Sequence, residues 1–433
     1  MIDRSAAPAS PRWSVVAALM AAMFTITVGY GVVLPILPFV IERLVASPDT
    51  PAISRHTGLL TGTYTLALFL FAPLWGRVSD WVGRRPLILS GLIGFALTLA
   101  LFGVINRLSL LYVLRFLNGM FASAVTPAAY ALIGDQSTSR TVRAHRFALL
   151  NIAATAGFLV GPMIGGLSLM GARALAPSLA TAAGPAPFLA TAALALIAVP
   201  FVWRLLPNVD RQERAAEPNP EPRDRMVLIR LLAIAFVTAT AIGAFEVGLA
   251  LRGKALDLDA YRIGMMFMEC SLVMFIAQGV IFSPFIKPES TRWLFAPGLA
   301  ALAAGLAAVP FAASHLALVL AVGLVAASAG ILSPIVAYWI SLGAHESQGT
   351  KLGLQTASAS LGQTLGSAIG GLLFNMVLPG ASFLVPAAMA LAALGAAFGL
   401  SRLLSPPKAE LQAALRLAST APRGMSEVCK KTP

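Results

Sequence analysis

Apolar residues run along this chain in long blocks separated by short polar breaks, with no sustained alternation of the kind a strand requires. Crossing the hydrocarbon core of a bilayer takes about 20 largely apolar residues per helix. Twelve blocks reach that length, at about 13 to 40, 57 to 79, 86 to 106, 109 to 133, 146 to 170 and 186 to 206, then 227 to 251, 262 to 284, 292 to 312, 314 to 342, 350 to 375 and 379 to 404. The pattern predicts an all-α membrane protein of twelve transmembrane helices. Between blocks 2 and 3, Gly76 to Ile88 (GRVSDWVGRRPLI) sets a carboxylate among arginines and is expected to form a short charged hairpin.

Composition agrees: 58% of the 433 residues are apolar and only 11% charged, an unusual mixture for a soluble core. The first block is too long for the apolar region of a signal peptide and lacks a convincing cleavage site. It is therefore expected to remain as the first helix. The net charge of +13 follows a topology. With both termini in the cytoplasm, only Arg43, Arg55, Arg107, Arg173, Arg252, Lys254 and Arg262 of the 31 basic residues fall in outer loops, and Arg115 alone lies deep in a span. The charge thus points to membrane orientation, with the basic tail also able to meet anionic headgroups, and away from a nucleic-acid partner. Two cysteines, Cys270 and Cys429, do not suggest a structural disulfide, and the four histidines show no metal-ligand spacing. No nucleotide loop, metal triad or nucleophile elbow occurs, so an enzyme is not expected, nor is a metal or other cofactor.

Near the middle, Pro, Glu, Asp and Arg replace the apolar residues, and the chain divides into residues 1–206, a polar linker 207–226, residues 227–404 and a basic tail 405–433. An internal repeat supports two six-helix halves. A shift of 205 residues lays Gly157, Gly161, Ile164, Gly165 and Gly166 onto Gly362, Gly366, Ile369, Gly370 and Gly371.

Three local patterns carry more. The hairpin places Gly76, Asp80, Gly83, Arg84 and Arg85 where a tight turn, a hydrogen-bonding carboxylate and positive charges can meet the ends of neighbouring helices. Block 4 contains Arg115 in Leu111 to Gly119 (LYVLRFLNG). An arginine in a span costs about 2.5 to 3.5 kcal/mol on insertion scales, so it should face a cavity or a partner. The competing reading has it snorkelling to the outer interface. Helical spacing sets Arg115, Asn118, Ala122, Thr126 and Tyr130 on one side of the block. Block 5 holds Gly157, Gly161, Pro162, Gly165 and Gly166 (GFLVGPMIGG), in which small residues permit close helix approach and the proline bends the axis.

Together these motifs resemble those of the major facilitator superfamily, in the twelve-helix drug/proton antiporter branch that includes the tetracycline exporters. Gly29 to Pro38 (GYGVVLPILP) is similar to that branch as well. The sequence departs from the branch's usual pattern at Trp81, normally basic, and at Asn118, normally glutamine. The resemblance implies two pseudo-symmetric six-helix halves that rock about a central cavity. It implies a cytoplasmic latch of Gly76, Asp80, Gly83, Arg84 and Arg85, which Asp135 is expected to join, and an antiporter motif on helix 5. It also places helices 1, 4, 7 and 10 around the cavity, so that Glu246 would face Arg115. Acidic groups found in helices 1 and 3 of tetracycline exporters have no clear equivalent here, which weakens tetracycline as the substrate.

A proton-coupled carrier needs an acid in the membrane. Of the 18 carboxylates only Glu246 and Glu269 fall well inside blocks. Glu246 is the first choice for proton coupling with Arg115, against an alternative in which it pairs with Arg252 or Lys254 at the outer interface. Glu269 would lie near the seam between halves, as a second titrating group or a structural one. Thr27, Tyr30, Asn118, Thr126, Tyr130, Tyr338 and Trp339 are candidates for a largely apolar, aromatic substrate cavity. The reading is a monomeric exporter in a bacterial inner membrane, driven by the proton gradient, whose partners are a small, largely apolar organic substrate such as an antibiotic, protons and the lipid bilayer. A metabolite or siderophore exporter would share every motif; a membrane receptor or enzyme is the remote alternative.

Overall fold

A computed structural model describes residues 13–45, 49–136, 140–175, 184–207, 222–281, 286, 288–312, 314–342, 348–374 and 380–404. Most of the linker and all of the basic tail lie outside them. Twelve long helices fill these residues: α1 (Trp13–Leu44), α2 (Thr50–Val82), α3 (Arg84–Val104), α4 (Leu108–Gln136), α5 (Arg140–Leu175), α6 (Ala186–Leu205), α7 (Pro222–Ala255), α8 (Ala260–Ile281), α9 (Phe295–Ala308), α10 (His315–Leu342), α11 (Gln348–Leu372) and α12 (Ala381–Ala397). A 3₁₀ turn over Pro288–Leu294 lengthens α9, and a single turn, α13 (Leu400–Leu403), follows α12. Trp13, Ile197, Trp203, Leu320 and Phe398 are among many large apolar side chains left exposed. A water-soluble protein would bury them; a bilayer solvates them.

Among the described residues eleven helices are long and apolar enough to cross a membrane, and α11 is the long helix missing from that set. Its packing explains why. Threonines, serines, glutamines and glycines replace bulky aliphatics because α11 lies along α7 on one side and α2 on another, so little of it needs to satisfy lipid.

The expected thirteen-residue hairpin is far tighter than the sequence suggested. α2 continues through Val82 and α3 begins at Arg84, leaving Gly83 alone between them at φ 94° and ψ 156°. That conformation is essentially restricted to glycine. α7 likewise begins at Pro222, inside the expected linker. Pro35 and Pro38 do not end α1, which runs on to Leu44.

The internal repeat has a direct structural meaning. On α5, Gly157 fits against the Phe24 carbonyl and Thr27 of α1, and Gly161 against Val28 and Gly31. On α11, Gly362 fits against the Phe236 carbonyl and Thr240 of α7, Gly366 against Thr240 and Gly370 against Ala244. The same glycine ladder thus builds the α1/α5 pair in one half and the α7/α11 pair in the other. At the head of each ladder the next glycine crosses the seam: Gly166 meets Tyr261 of α8, and Gly371 meets Ser54 and Gly58 of α2.

These crossings gather at one end of the molecule, here the upper end, where the C-termini of α1, α5, α7 and α11 approach the N-termini of α2 and α8. Lys254 Nζ and Glu42 Oε2 are 2.6 Å apart across the seam there, and the ammonium also lies 4.6 Å from the Phe39 ring centre. The halves are therefore closed against each other at the upper end.

Candidate functional site

Arg115 comes two turns into α4 and is 1% exposed, the largest fully buried side chain among the described residues. It does not snorkel. Its guanidinium carbon lies 4.3 Å from the centre of the Tyr64 ring and 5.8 Å from that of Tyr30. Nε and Nη2 find no hydrogen-bond acceptor among the described residues. Two aromatic faces therefore take the place of a counter-ion, an arrangement worth about 2 kcal/mol in a desolvated setting.

Local sequence places Tyr30 at this point. Gly29 fits against Phe95 of α3, and Gly31 against the Phe158 carbonyl and Pro162 of α5. Flanked by two glycines, α1 wedges between its neighbours and carries the tyrosine ring to the seam. The ring stacks on Tyr64, with centres 5.3 Å apart, and on Phe158 at 5.8 Å. Its hydroxyl donates to Oε2 of Glu246 on α7, at 2.7 Å. Gln363 of α11 completes a triangle: Nε2 donates to the Tyr30 hydroxyl at 3.0 Å and to the same carboxylate oxygen at 3.2 Å. Gln363 reaches Glu246 because Gly243, one turn earlier on α7, lets the α11 backbone approach closely at the Gln363 carbonyl. One residue further along α11, Thr364 donates to Thr65 of α2 at 3.0 Å, again across the seam.

Glu246 is 6% exposed. Besides its two donors it borders a cavity of about 20 Å³ lined by Phe158, Ile242, Phe245, Phe267, Cys270, Met274 and three small residues of α10. That space holds about one water molecule and no organic substrate. An acceptor oxygen fixed by donors from both halves, beside an apolar pocket, can exchange a proton and alter how the halves are held.

The other expected positions distribute as follows. Arg115 and Glu246 come together indirectly, through Tyr30, rather than face to face. The outer-interface alternative for Glu246 does not hold, since Lys254 pairs with Glu42. Glu269 is exposed on α8, next in sequence to Cys270 of the cavity wall. Asn118 is 2% exposed and spends its amide on the Phe95 carbonyl and Thr98, joining α3 to α4 instead of lining a cavity. Thr27 bonds carbonyls of its own helix beneath Gly157. Thr126 meets the Met23 sulfur, and Tyr130 stands edge-on to Phe147 at 4.9 Å. Tyr338 packs against Trp339, which is 7% exposed and donates to Thr291 before α9. The expected cavity residues therefore do not share one space. Pro162 of the helix 5 motif touches Gly264 of α8 across the seam, Gly165 faces Ile36, and Gly166 meets Tyr261.

Of the residues expected to form a latch, Gly83 makes the turn, Arg84 donates to Ser79, Arg85 lies 5.7 Å from the Trp203 ring, and Gly76 has open space around it. Asp80 and Asp135 belong to α2 and α4, but their side chains lie outside the described set. Sequence reading missed Tyr64 and Gln363. A signal existed for the latter, since it stands next to Gly362 in the repeated ladder, where a long polar side chain among small residues asks for a buried partner.

Comparison with known proteins places these features in context. Residues 19–350 match the sequence model of the Major Facilitator Superfamily. Multidrug resistance protein 1 of Bacillus subtilis is 26% identical over 371 residues, spanning 83% of this chain and 89% of that protein. Tetracycline resistance protein, class B, of Escherichia coli is 30% identical over 317 residues, 65% of this chain and 75% of that one. Quinolone resistance protein NorA of Staphylococcus aureus is 25% identical over 360 residues, 82% and 88%. Among solved structures, the human organic anion transporter MFSD10 superimposes with a TM-score of 0.69 at 19% identity, covering 89% of this chain and 99% of that one, a likeness of fold alone.

Proposed function

Because this chain belongs to the Major Facilitator Superfamily and is one of its multi-pass membrane transporters, we propose that it is a proton-coupled exporter of small, largely apolar organic compounds, in which Glu246 carries the proton. The similarity to multidrug, tetracycline and quinolone resistance proteins supports drug-like cargo. The observation that carries the reading is the Tyr30–Glu246–Gln363 triangle, which ties one carboxylate to both halves. The protein works as a monomer in the bacterial inner membrane with both termini in the cytoplasm. That orientation makes the upper end external, so the conformation described is closed to the outside. The coupling needs no cofactor beyond the proton gradient, and the partners are the substrate, protons and lipid.

The chemistry follows from what a carboxyl group can accept. An ionised Glu246 is a strong acceptor for Tyr30 and Gln363, and a protonated one a weaker acceptor. Protonation from outside, substrate binding from inside and the rocking of the halves are thereby linked through one oxygen atom. Each proton that moves one charge inward down 100 mV supplies about 2.3 kcal/mol, and the pH difference adds to it.

The test uses everted vesicles that acidify on energisation. Adding tetracycline, norfloxacin or ethidium in turn should dissipate the pH gradient for at least one compound, and Glu246→Gln should abolish that response. A Glu246→Gln variant whose export keeps the wild-type dependence on pH would rule out the assignment.

A further inference from the structure

Each hydrogen bond of the triangle has a consequence for an exporter that carries nothing. Suppose an external proton has ridden in on Glu246 and left to the cytoplasm. The carrier is then empty, ionised and shut at the upper end. If it could reopen outward in that condition, Glu246 would collect a second proton, and repeated cycles would drain the gradient with no export.

We propose that Tyr30 and Gln363 are positioning residues that clamp the empty, ionised carrier in this upper-closed arrangement, so that it returns outward only after substrate has broken the clamp. The inference rests on the reading of Glu246 as the proton carrier. Three features support it. Tyr30 belongs to the first half, Glu246 and Gln363 to the second, so the bonds to Tyr30 cross the moving seam. Both donors converge on the same oxygen, Oε2, an arrangement that favours the ionised carboxylate over the acid. Among the described residues the remaining surroundings offer no comparable donor. α8 presents Cys270, α5 Phe158, and α10 only Val325, Ala326 and Ala329, while Arg115 and Tyr64 reach the carboxylate only through the Tyr30 ring. Since the cavity has room for about one water, a substrate entering from the cytoplasm must displace Phe158 or the two donors to reach Glu246. Entry of cargo and release of the clamp would be one event.

The proton makes a complete circuit in this scheme: it binds Glu246 from the outside, leaves to the cytoplasm, and no other group retains it. Removing one charge-assisted donor should raise the population of the empty, outward-facing carrier by about tenfold. Substrate-free proton slip should rise in the same proportion.

The experiment uses the full chain in proteoliposomes with an entrapped pH dye, an imposed pH gradient and no substrate, so protons are the only probe. Tyr30→Phe and Gln363→Met, each confirmed as monodisperse, should leak about tenfold faster than the wild-type protein. Adding Glu246→Gln to either should return the leak to the wild-type level. If neither single variant leaks faster, the clamp is wrong, whatever Glu246 does. If both leak and the leak persists with Glu246→Gln, the proton does not travel on Glu246, and the proposal falls with that reading.

Discussion

Gly366 offers the sharpest test of how backbone packing sets up the site. A Cβ added there would overlap the Thr240 carbonyl oxygen of α7 and come within 2.8 Å of its carbonyl carbon and 2.9 Å of its Cα. These are backbone atoms inside a helix and cannot turn away. Restoring ordinary carbon contacts near 3.5 Å requires α7 and α11 to separate by about 1 Å. Gln363 lies one turn below Gly366, so its 3.2 Å bond to Glu246 would lengthen beyond the hydrogen-bond limit. Overpacking of this kind costs about 2 kcal/mol, or about 5 °C in midpoint for a unit the size of one half.

Gly366→Ala should therefore lose thermostability in detergent and also show the substrate-free proton leak expected of Gln363→Met. Gly353→Ala, on the same helix with nothing within 4 Å of its added Cβ, is the control. It should keep wild-type stability or gain up to about 1 kcal/mol from helix propensity. If Gly366→Ala matched the wild type in both melting and leak, the close α7/α11 approach would not be what positions Gln363.

Gly83→Ala should destabilise the α2/α3 turn by about 1 to 3 kcal/mol, because φ 94° with ψ 156° excludes a Cβ; a lower detergent melting midpoint checks it. Arg115→Lys should lose most transport despite keeping the charge, since a compact ammonium cannot spread its charge over both the Tyr64 and Tyr30 rings as a guanidinium can, and export assays at equal expression measure it. Glu42→Gln should cost less than about 1 kcal/mol, as the pair with Lys254 is partly exposed, and its effect should shrink as salt rises. The exchange Glu42→Lys with Lys254→Glu should restore whatever either single change loses, read as a double-mutant cycle on melting.

The helices were legible because a bilayer imposes a length that composition reveals, and the chain obeys it even at α11, where polar and small residues dilute the apolar pattern. Repeated glycines were legible as a pattern, but their partners were not. Nothing in Gly362 or Gly366 names Phe236 or Thr240, because helix pairing depends on which faces meet. The same limit explains the cavity residues. Asn118 and Trp339 looked like substrate ligands, yet a buried amide and a buried indole each need a nearby partner, and Thr98 and Thr291 supplied them first. Polar character in a span marks a position that must be satisfied; it does not say whether protein or cargo does so.

Arg115 shows how far that argument extends. A buried cation without a carboxylate is costly, and a partner such as Glu246 would have been the economical arrangement for stability alone. Here the carboxylate is held by hydroxyl and amide donors, while Tyr30 stands between it and the guanidinium. A direct ion pair would hold Glu246 ionised and lock the halves with more strength than a carrier can reverse. Interposing a tyrosine leaves the cation's field acting on the site while hydrogen bonds, and no buried ion pair, hold the carboxylate across the seam. The seam is then closed by several separate contacts, Tyr30 to Glu246, Thr364 to Thr65 and Lys254 to Glu42, and in the proposed cycle each is given up as the halves rock.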